Sequence, residues 1–371
     1  MEQLKRIKVA QIIGNSTCGG VPSFVMNYFR NIDREKVDFY FYTYGPSELD
    51  AEILQLGGKI LHMPDVRNIF KSIPFLKKSF SHYKFDIVHS HMTTLSLSPL
   101  FAAILSKIKI RICHAHSTTN RKEGTYIIKN LLKHFSKPFA SNLAGCSHLS
   151  MNWLFGKKKG ASSVLIPNSI DLSLFLKNPL RSIELKKNLK IEKNFVIGNI
   201  GRLEIQKNHL FLIDCFLKTL ETLPNAVLVL VGKGKQEDLI RERILSYNIA
   251  DKVIFLPEIS DIVRYYEIFD IFWLPSLYEG LPLVGVEAQA MNLPCLFSET
   301  ISKEADLTGN TIFLPINNPS IWAEATLMIA REKPTYDNLP TLKAKGYDIK
   351  DSAPKLLDYY NSLLSNGKNP R

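Results

Sequence analysis

The stretch Leu274–Pro294, LPSLYEGLPLVGVEAQAMNLP, sets Glu279 and Glu287 eight positions apart across a strand-to-helix turn. Before it, Asp270 to Ser276 (DIFWLPS) is an apolar run of strand length, and after it Leu283 to Met291 carries apolar residues at helical spacing. The turn therefore lies at a strand's carboxyl end, where open α/β sheets bind ligands. Pro282 suits the first helical position, because its missing N–H would be unpaired there anyway. Glu279 then stands just outside the helix and Glu287 inside it, roughly 10 Å apart, with the free amides around Gly280 to Leu283 aimed at an anion between them. That layout fits a ligand with hydroxyls at both ends and phosphates in the middle. Two Glu at this spacing also arise by chance on any charged helix, so the meaning depends on what accompanies them.

Outward from this stretch the chain alternates strand and helix patterns. In the first half, Ile7–Ile13, Val37–Tyr44, Lys59–Met63, Asp86–His91, Arg111–His116, Asn142–Ser147 and Ser163–Pro167 read as strands, with helices such as Pro22–Asn31, Leu95–Ser106 and Gly124–Lys137 between them. A parallel, doubly wound α/β sheet follows. Asn168 to Lys193 loses the strand pattern and reads as an interdomain connection. A second alternation has strands at Phe195–Gly201, Ala226–Gly232, Lys252–Leu256, Asp270–Ser276, Pro294–Ser298 and Thr311–Pro315. Its helices are Asn208–Thr222, Gln236–Tyr247, Asp261–Ile268, Leu283–Met291 and Ser320–Glu332. The expected domains are residues 1–176 and 177–351, with a cleft between them, and a last amphipathic helix, Ser352–Ser365, returning to the first domain so that 352–371 belongs with it.

A chain of 371 residues is too long for one ordinary core, and 45% hydrophobic with 22% charged residues is a globular composition. No apolar run approaches the ~18 residues of a membrane span, and the N-terminal one is too short for a signal peptide. Five scattered cysteines without a CxxC pair argue for reduced, buried thiols in the cytoplasm. The net charge of +12 is one-sided: residues 1–180 hold 24 Lys and Arg against 11 Asp and Glu, the remainder 23 against 24. Between Ile87 and Ile170 a single acid, Glu123, stands among eleven bases. Such a field favours an anionic membrane surface over nucleic acid, the plain alternative being a solvated face. Phe70 to Lys84 (FKSIPFLKKSFSHYK) mixes Phe and Leu with Lys like an interfacial helix, interrupted by Pro74.

Three constellations accompany the two glutamates. The first strand ends in GNSTCGGVP, where Gly19 and Gly20 either bring amides to a phosphate at a helix start or serve a tight turn. It is not GxGxxG, so a dinucleotide fingerprint is unsupported. In the second half, GRLEIQKN places Arg202 and Lys207 at a strand's carboxyl end before a helix, a fork and a point charge suited to a diphosphate leaving group, or else a solvated loop. His116 ends the fifth strand in CHAHST, positioned to face the cleft from the opposite wall, with His89, His91 and His114 as local competitors. The HxH pairs permit a metal, because alternation puts both members on one face, yet no Cys or carboxylate set completes a site. No Asp-x-Asp pair is present to hold Mg²⁺, so charge neutralisation falls to Arg202, Lys207 and helix amides.

Taken together, Gly19-Gly20, His116, Gly201-Arg202-Leu203 with Lys207-Asn208, and Glu279-Gly280-Leu281-Pro282 with Glu287-Ala288 resemble the motifs of family-4 retaining glycosyltransferases of GT-B fold, over nearly the whole chain. The resemblance implies two facing Rossmann-like domains, the first binding acceptor and the second a nucleotide diphosphosugar. It implies that Gly19 and Gly20 approach the donor phosphate and that His116 lies beside the donor sugar. Arg202 and Lys207 then bind the diphosphate, Glu279 contacts the sugar, Gly280 to Leu283 help hold sugar and phosphate, and Glu287 grips the ribose. Asn292 departs from the pattern, where glycine is usual, but Asn is the residue best able to replace Gly in a left-handed cap. GGVPSFVMNYFRNIDR and WLFG (Trp153 to Gly156) resemble the subgroup that builds capsular or exopolysaccharide repeat units. That implies a UDP-sugar donor, a lipid-linked saccharide acceptor, no metal cofactor, no nucleic acid, and work at the inner membrane face, with acceptor specificity in loops such as Thr118 to Gly124. The alternatives are a nucleotide-sugar epimerase of the same architecture and a non-catalytic nucleotide-sugar or polyanion binder.

Overall fold

The computed structural model describes residues 6–15, 19–119, 126–257 and 261–366. Cys18, Glu123 and most of the Thr118 to Gly124 loop lie outside the described residues. The chain divides into two units, Met1–Ser169 with Asp348–Arg371, and Ile170–Tyr347.

The first unit is built on β1 (Ile7–Gly14), β2 (Val37–Thr43), β3 (Lys59–His62), β4 (Ile87–Ser90), β5 (Ile110–Ala115), β6 (Asn142–Gly145) and β7 (Val164–Leu165), in the order β3-β2-β1-β4-β5-β6-β7. Every pairing is parallel. The second unit holds β8 (Phe195–Ile200), β9 (Ala226–Val231), β10 (Val253–Leu256), β11 (Ile271–Leu274), β12 (Cys295–Ser298) and β13 (Thr311–Leu314), ordered β10-β9-β8-β11-β12-β13 and likewise parallel. Parallel sheets are covered on both faces, so their central strands read as continuous apolar runs. β9, AVLVLV, is buried at every position. Each sheet reverses its strand order once, at β1/β4 and at β8/β11, and those two carboxyl-end crevices are where ligands bind in such sheets.

Each sheet separates two apolar layers. In the second unit one layer centres on Phe272, Phe297 and Met291, the other on Trp273, Trp322 and Phe216. The stretch expected to link the domains carries the crossing, after Ser169, and beyond it packs on this core through the buried Ile170, Leu172, Phe175 and Ile191, with a helix, Pro179–Asn188, running through the segment. Arg181 there holds Glu267 with two hydrogen bonds of 2.7 and 2.6 Å. The helix Ile349–Asn366 returns to the first unit, burying Ile349, Ala353, Leu356, Leu357 and Tyr360 against β1, β2 and the helix Gly20–Asn31.

The Phe70–Lys84 reading needs correction. The helix Ile69–Tyr83 runs unbroken through Pro74, its sixth residue, at the cost of one intrahelical hydrogen bond. Its Leu76 and Phe80 face the core, while Phe70 at its start is 86% exposed. An exposed apolar face appears elsewhere, on the helix Tyr126–Ser136, through Ile127, Ile128, Leu131 and Phe135. Cys113, Cys146, Cys215 and Cys295 are free and buried. Among the described residues no helix is long and apolar enough to cross a membrane.

Candidate functional site

In the second unit the crevice is assembled from the loops after β8 and β11. Leu277 N donates to Gln206 O at 2.8 Å, Gln206 Nε2 to Tyr278 O at 2.9 Å, and Asn208 Nδ2 to Pro275 O at 3.2 Å, which staples the two loops together. Asn208 takes a left-handed conformation (φ 58°) to open the helix His209–Thr222. Beneath it His209 and Asn199 are hydrogen-bonded at 3.1 Å, and Asn199 donates to Trp273 O. On this base Lys207 Nζ meets Glu279 Oε1 at 2.8 Å, both side chains largely buried, and Ser276 donates to the same oxygen at 3.1 Å. Arg202 is exposed on the same loop and joins no carboxylate among the described residues. A cation thus braces the acid on one side of the crevice while a second cation stays open to an anion.

The loop after β9 presses on this assembly. Gly232 has φ 141°, and a Cβ on it would lie 2.1 Å from Gly201 O, a backbone atom with nowhere to go. Gly232→Ala is therefore expected to displace the Arg202 and Lys207 loop, lowering both Tm and the rate of the catalysed reaction. Misplacement by an ångström costs up to about 10²-fold in kcat. Initial-rate and thermal-melt measurements on the variant check both effects.

Glu287 lies on the helix Leu283–Ala290 and is not part of the Lys207 pair; Tyr266 donates to its Oε2 at 2.7 Å. Burial and the neighbouring carboxylate hold the Tyr266 hydroxyl well above its ordinary pKa, so it remains a donor. Pro282 proves to be the N-cap, one place earlier than expected, with ψ of 124° outside the helical range. Of the first-turn amides Gly285 N bonds back to Pro282 O at 3.0 Å, while those of Leu283 and Val284 precede any intrahelical acceptor, as at any helix start. Gly280 and Leu281 are buried and Leu283 is half-buried beside them. Asn292 has φ 61° and accepts from Asn338 N, confirming that Asn can occupy the left-handed position.

In the first unit Gly14, at the end of β1, has φ 76°, and a Cβ there would strike Met92 at 2.8 Å, so this is the glycine the turn requires. Gly19 is extended and Gly20 opens the helix Gly20–Asn31 with open space where a Cβ would stand, which leaves no steric demand for glycine at position 20. The loops after β1, β2, β3 and β4, through Asn15, Tyr44, Arg67 and Thr93, together with Lys129 and Trp153 from two later helices, line a cavity of about 330 Å³. Its mix of hydroxyl and amide groups, two aromatic rings and two cations suits a polar ligand with an anionic group.

His116 follows β5 directly, half-exposed, with Phe24 edge-on to its ring at 4.9 Å. It stacks on His114 (4.1 Å between centroids) as His89 does on His91 (4.2 Å), the two pairs standing on adjacent strands. His116 Nε2 bonds His91 Nδ1 at 2.8 Å, and His89 Nε2 bonds His114 Nδ1 at 3.0 Å. Burial pushes His89 and His116 down to about 3, and His91 and His114 well below the usual range, so all four rings are neutral. His89, His91 and His114 place ligand atoms within 4.8 Å of one another, as a metal site requires. Both nitrogens of His89 and of His91 are already engaged in hydrogen bonds, and among the described residues no carboxylate joins the three. Sequence reasoning placed His116 at the strand end but missed Gln11, Tyr360, Ser276 and Tyr266; the one legible signal was the polar Gln11 in the apolar middle of IKVAQIIG.

Comparison with known proteins fits this construction. Residues 18–174 match the family described as Glycosyltransferase Family 4, and residues 181–334 match Glycosyl transferases group 1. The chain is 32% identical over 370 residues to a putative glycosyltransferase, EpsF, of Bacillus subtilis (strain 168), covering 95% of this chain and 96% of the relative. It is 25% identical to the UDP-Gal:alpha-D-GlcNAc-diphosphoundecaprenol alpha-1,3-galactosyltransferase of Escherichia coli, over 97% and 98% of the two chains. In fold it resembles Anabaena Alr3699/HepE, solved with UDP-glucose, at a TM-score of 0.83 with 16% identity, covering 96% of this chain and all of that one. Two parallel Rossmann-like units of seven and six strands, carrying both family matches in tandem, make this chain a member of the family-4, group-1 glycosyltransferases of GT-B fold.

Proposed function

We propose that the protein transfers a sugar from a UDP-sugar to a lipid-linked saccharide, with retained anomeric configuration and without a metal cofactor, in surface polysaccharide synthesis. The observation that carries this reading is the Lys207–Glu279 pair beside the open Arg202 at the β8/β11 switch point. Breaking a bond to a diphosphate needs its developing charge neutralised, and two preorganised cations supply that without a metal. Glu279, fixed by Lys207 and Ser276, grips the donor sugar; Glu287, oriented by Tyr266, grips the ribose. The amides of Gly280 to Leu283 assist at the phosphate. On the first unit, Gly19 and Gly20 approach the donor phosphate, His116 contacts the donor sugar, and the 330 Å³ cavity takes the acceptor. The acceptor hydroxyl attacks from the side on which the diphosphate departs, and the diphosphate oxygen takes its proton.

The donor assignment draws support from the Escherichia coli relative, which by name uses UDP-Gal, and from the Anabaena structure with UDP-glucose. The same relative's diphosphoundecaprenol-linked acceptor supports a lipid-linked acceptor here. The helix Tyr126–Ser136 supplies an exposed apolar face through Ile127, Ile128, Leu131 and Phe135, suited to an inner membrane surface. An epimerase would need acids and bases open to its ligand, whereas the histidines beside His116 are hydrogen-bonded to one another inside the fold.

The test is a thermal-shift screen against UDP-, GDP- and ADP-sugars, followed by turnover of the best donor with membrane lipids as acceptor. A UDP-sugar is expected to raise Tm most and to be consumed only when acceptor is present. Consumption without acceptor would point to the epimerase, and intact donor beside acceptor to a binding protein.

A further inference from the structure

The loop between β3 and the helix Ile69–Tyr83 puts one cation on the border of two hollows. Arg67 lines the 330 Å³ cavity together with Asn15, Tyr44, Thr93 and Trp153, and it also lines an open depression whose other walls are Asp65, Asn68, Ile69 and Phe70. The first hollow is polar and aromatic, as a site for a hydroxylated ring requires. The second is apolar at its most exposed point, because Ile69 and Phe70 both face solvent. Neither belongs to the core beneath that helix, which takes Leu76 and Phe80 instead.

Arg67 is held in place on this border with part of its guanidinium left open. Asp65 accepts from Arg67 Nε at 3.0 and 2.9 Å through its two oxygens, from Nη2, and from the Arg67 backbone N at 2.9 Å. The Tyr44 hydroxyl, from the cavity wall, interacts with the same carboxylate. These bonds occupy Asp65 and fix the guanidinium, while Arg67 Nη1 donates to nothing among the described residues. A guanidinium tied on one side and open on the other suits phosphate oxygens, and Lys129 on the cavity wall adds a second positive charge against the single acid. Polar cavity, cation and apolar depression thus stand in a fixed sequence. Saccharide, phosphate and lipid follow one another in the same sequence in a phosphate-linked glycolipid.

We propose that the acceptor is a saccharide carried on a lipid phosphate, bound with its sugar in the cavity beside Trp153, its phosphate on Arg67 and the start of its lipid on Ile69 and Phe70. Its role as acceptor rests on the transferase reading above; the binding of a lipid phosphate does not. A free saccharide leaves Arg67 and Phe70 unused, so these two residues select the lipid-borne form.

Calorimetric titration of the full chain with farnesyl diphosphate, which has the lipid and the phosphate without the sugar, tests the two outer contacts. It is run in an Arg202→Ala/Lys207→Ala background, so that the diphosphate does not settle on the second unit's cations. Farnesyl diphosphate is expected to bind, with farnesol and inorganic diphosphate each at least about tenfold weaker. Arg67→Ala should weaken farnesyl diphosphate about tenfold and Arg67→Lys less, since the charge remains. Phe70→Ser should weaken farnesyl diphosphate and leave inorganic diphosphate unchanged. Both side chains are exposed, so melting curves should change little. With the second unit intact and membrane lipids as acceptor, Arg67→Ala is expected to raise the acceptor KM about tenfold while UDP binds as before. Failure of farnesyl diphosphate to bind, or binding that Arg67→Ala and Phe70→Ser leave unchanged, would overturn the proposal. Equal affinity for inorganic diphosphate would do the same by reducing the site to one for free phosphate. So would an equal loss of binding to phosphatidylglycerol vesicles in both variants, which would assign the two residues to the bilayer surface. If farnesyl diphosphate responds as stated but no nucleotide sugar is turned over, the lipid-phosphate site stands and the transferase reading falls.

Discussion

Sugar transfer is expected to fall by about three orders of magnitude or more when Arg202 and Lys207 are both replaced by alanine, with the second unit still folded. Removing one preorganised donor from a site of developing negative charge typically costs about 10²–10³ in kcat, and this double variant removes the two cations that the loop after β8 supplies. The two losses are not equal. Arg202 is exposed and pairs with no described carboxylate, so Arg202→Ala removes a ligand-facing charge and little else. Lys207→Ala also strips Glu279 of a 2.8 Å partner in a largely buried setting, leaving that carboxylate with Ser276. Lys207→Ala should therefore lower both kcat and Tm, whereas Arg202→Ala should lower kcat and weaken UDP binding with Tm unchanged. Initial rates, UDP titration and thermal melts on the two single variants and the double variant separate these effects; undiminished transfer by the double variant would remove the site from the reaction.

Acidification is expected to unfold the first unit well before carboxylate chemistry would. His89, His91 and His114 are neutral and buried, with pKa values depressed by burial, whereas in the unfolded chain each titrates near the usual ~6.5. Below that value the unfolded chain takes up protons the folded one refuses, so stability is intact above about pH 6.5 and falls as pH falls. For His89 the loss continues down to its folded pKa of about 3. Each histidine that stays neutral contributes a slope of about 1.4 kcal/mol per pH unit, so three together remove roughly 4 kcal/mol per unit once the unfolded state is charged. That exhausts a typical domain stability within a few pH units. Melting curves between pH 7.5 and 4.5 should show Tm dropping steeply across this window; a flat Tm would mean that the cluster opens to water or holds a proton.

The alternation of apolar runs made the two sheets legible, because parallel strands buried on both faces leave little else for such runs to be. The site was legible where one short segment carries its own geometry: Glu279 and Glu287 around a strand-to-helix turn, Arg202 and Lys207 on one loop. It was not legible where contacts join distant segments. Gln11 and Tyr360 are 349 positions apart, and no periodicity says that a tyrosine on the last helix will reach the first strand. The helix Ile69–Tyr83 shows a second limit, since its pattern marks an apolar face without saying whether core or lipid will cover it. Asn168 to Lys193 shows a third: few strand residues and many polar ones read as a connection, yet four well-placed apolar side chains anchor it to the second unit's core while most of the segment stays at the surface.

The way the chain passes between the units carries one further consequence. It leaves the first unit after Ser169 and re-enters it at Asp348, and beside those crossings Ile170 N bonds Tyr347 O at 3.0 Å. The second unit is thus a cassette inserted into the first, with its entry and exit tied together at one point. Each unit keeps its own sheet and core, so a relative's cassette can be spliced in at these two junctions. On the reading above, such chimeras would exchange the Arg202, Lys207, Glu279 and Glu287 side of the donor site while keeping Gly19, Gly20, His116 and the acceptor cavity of the first unit.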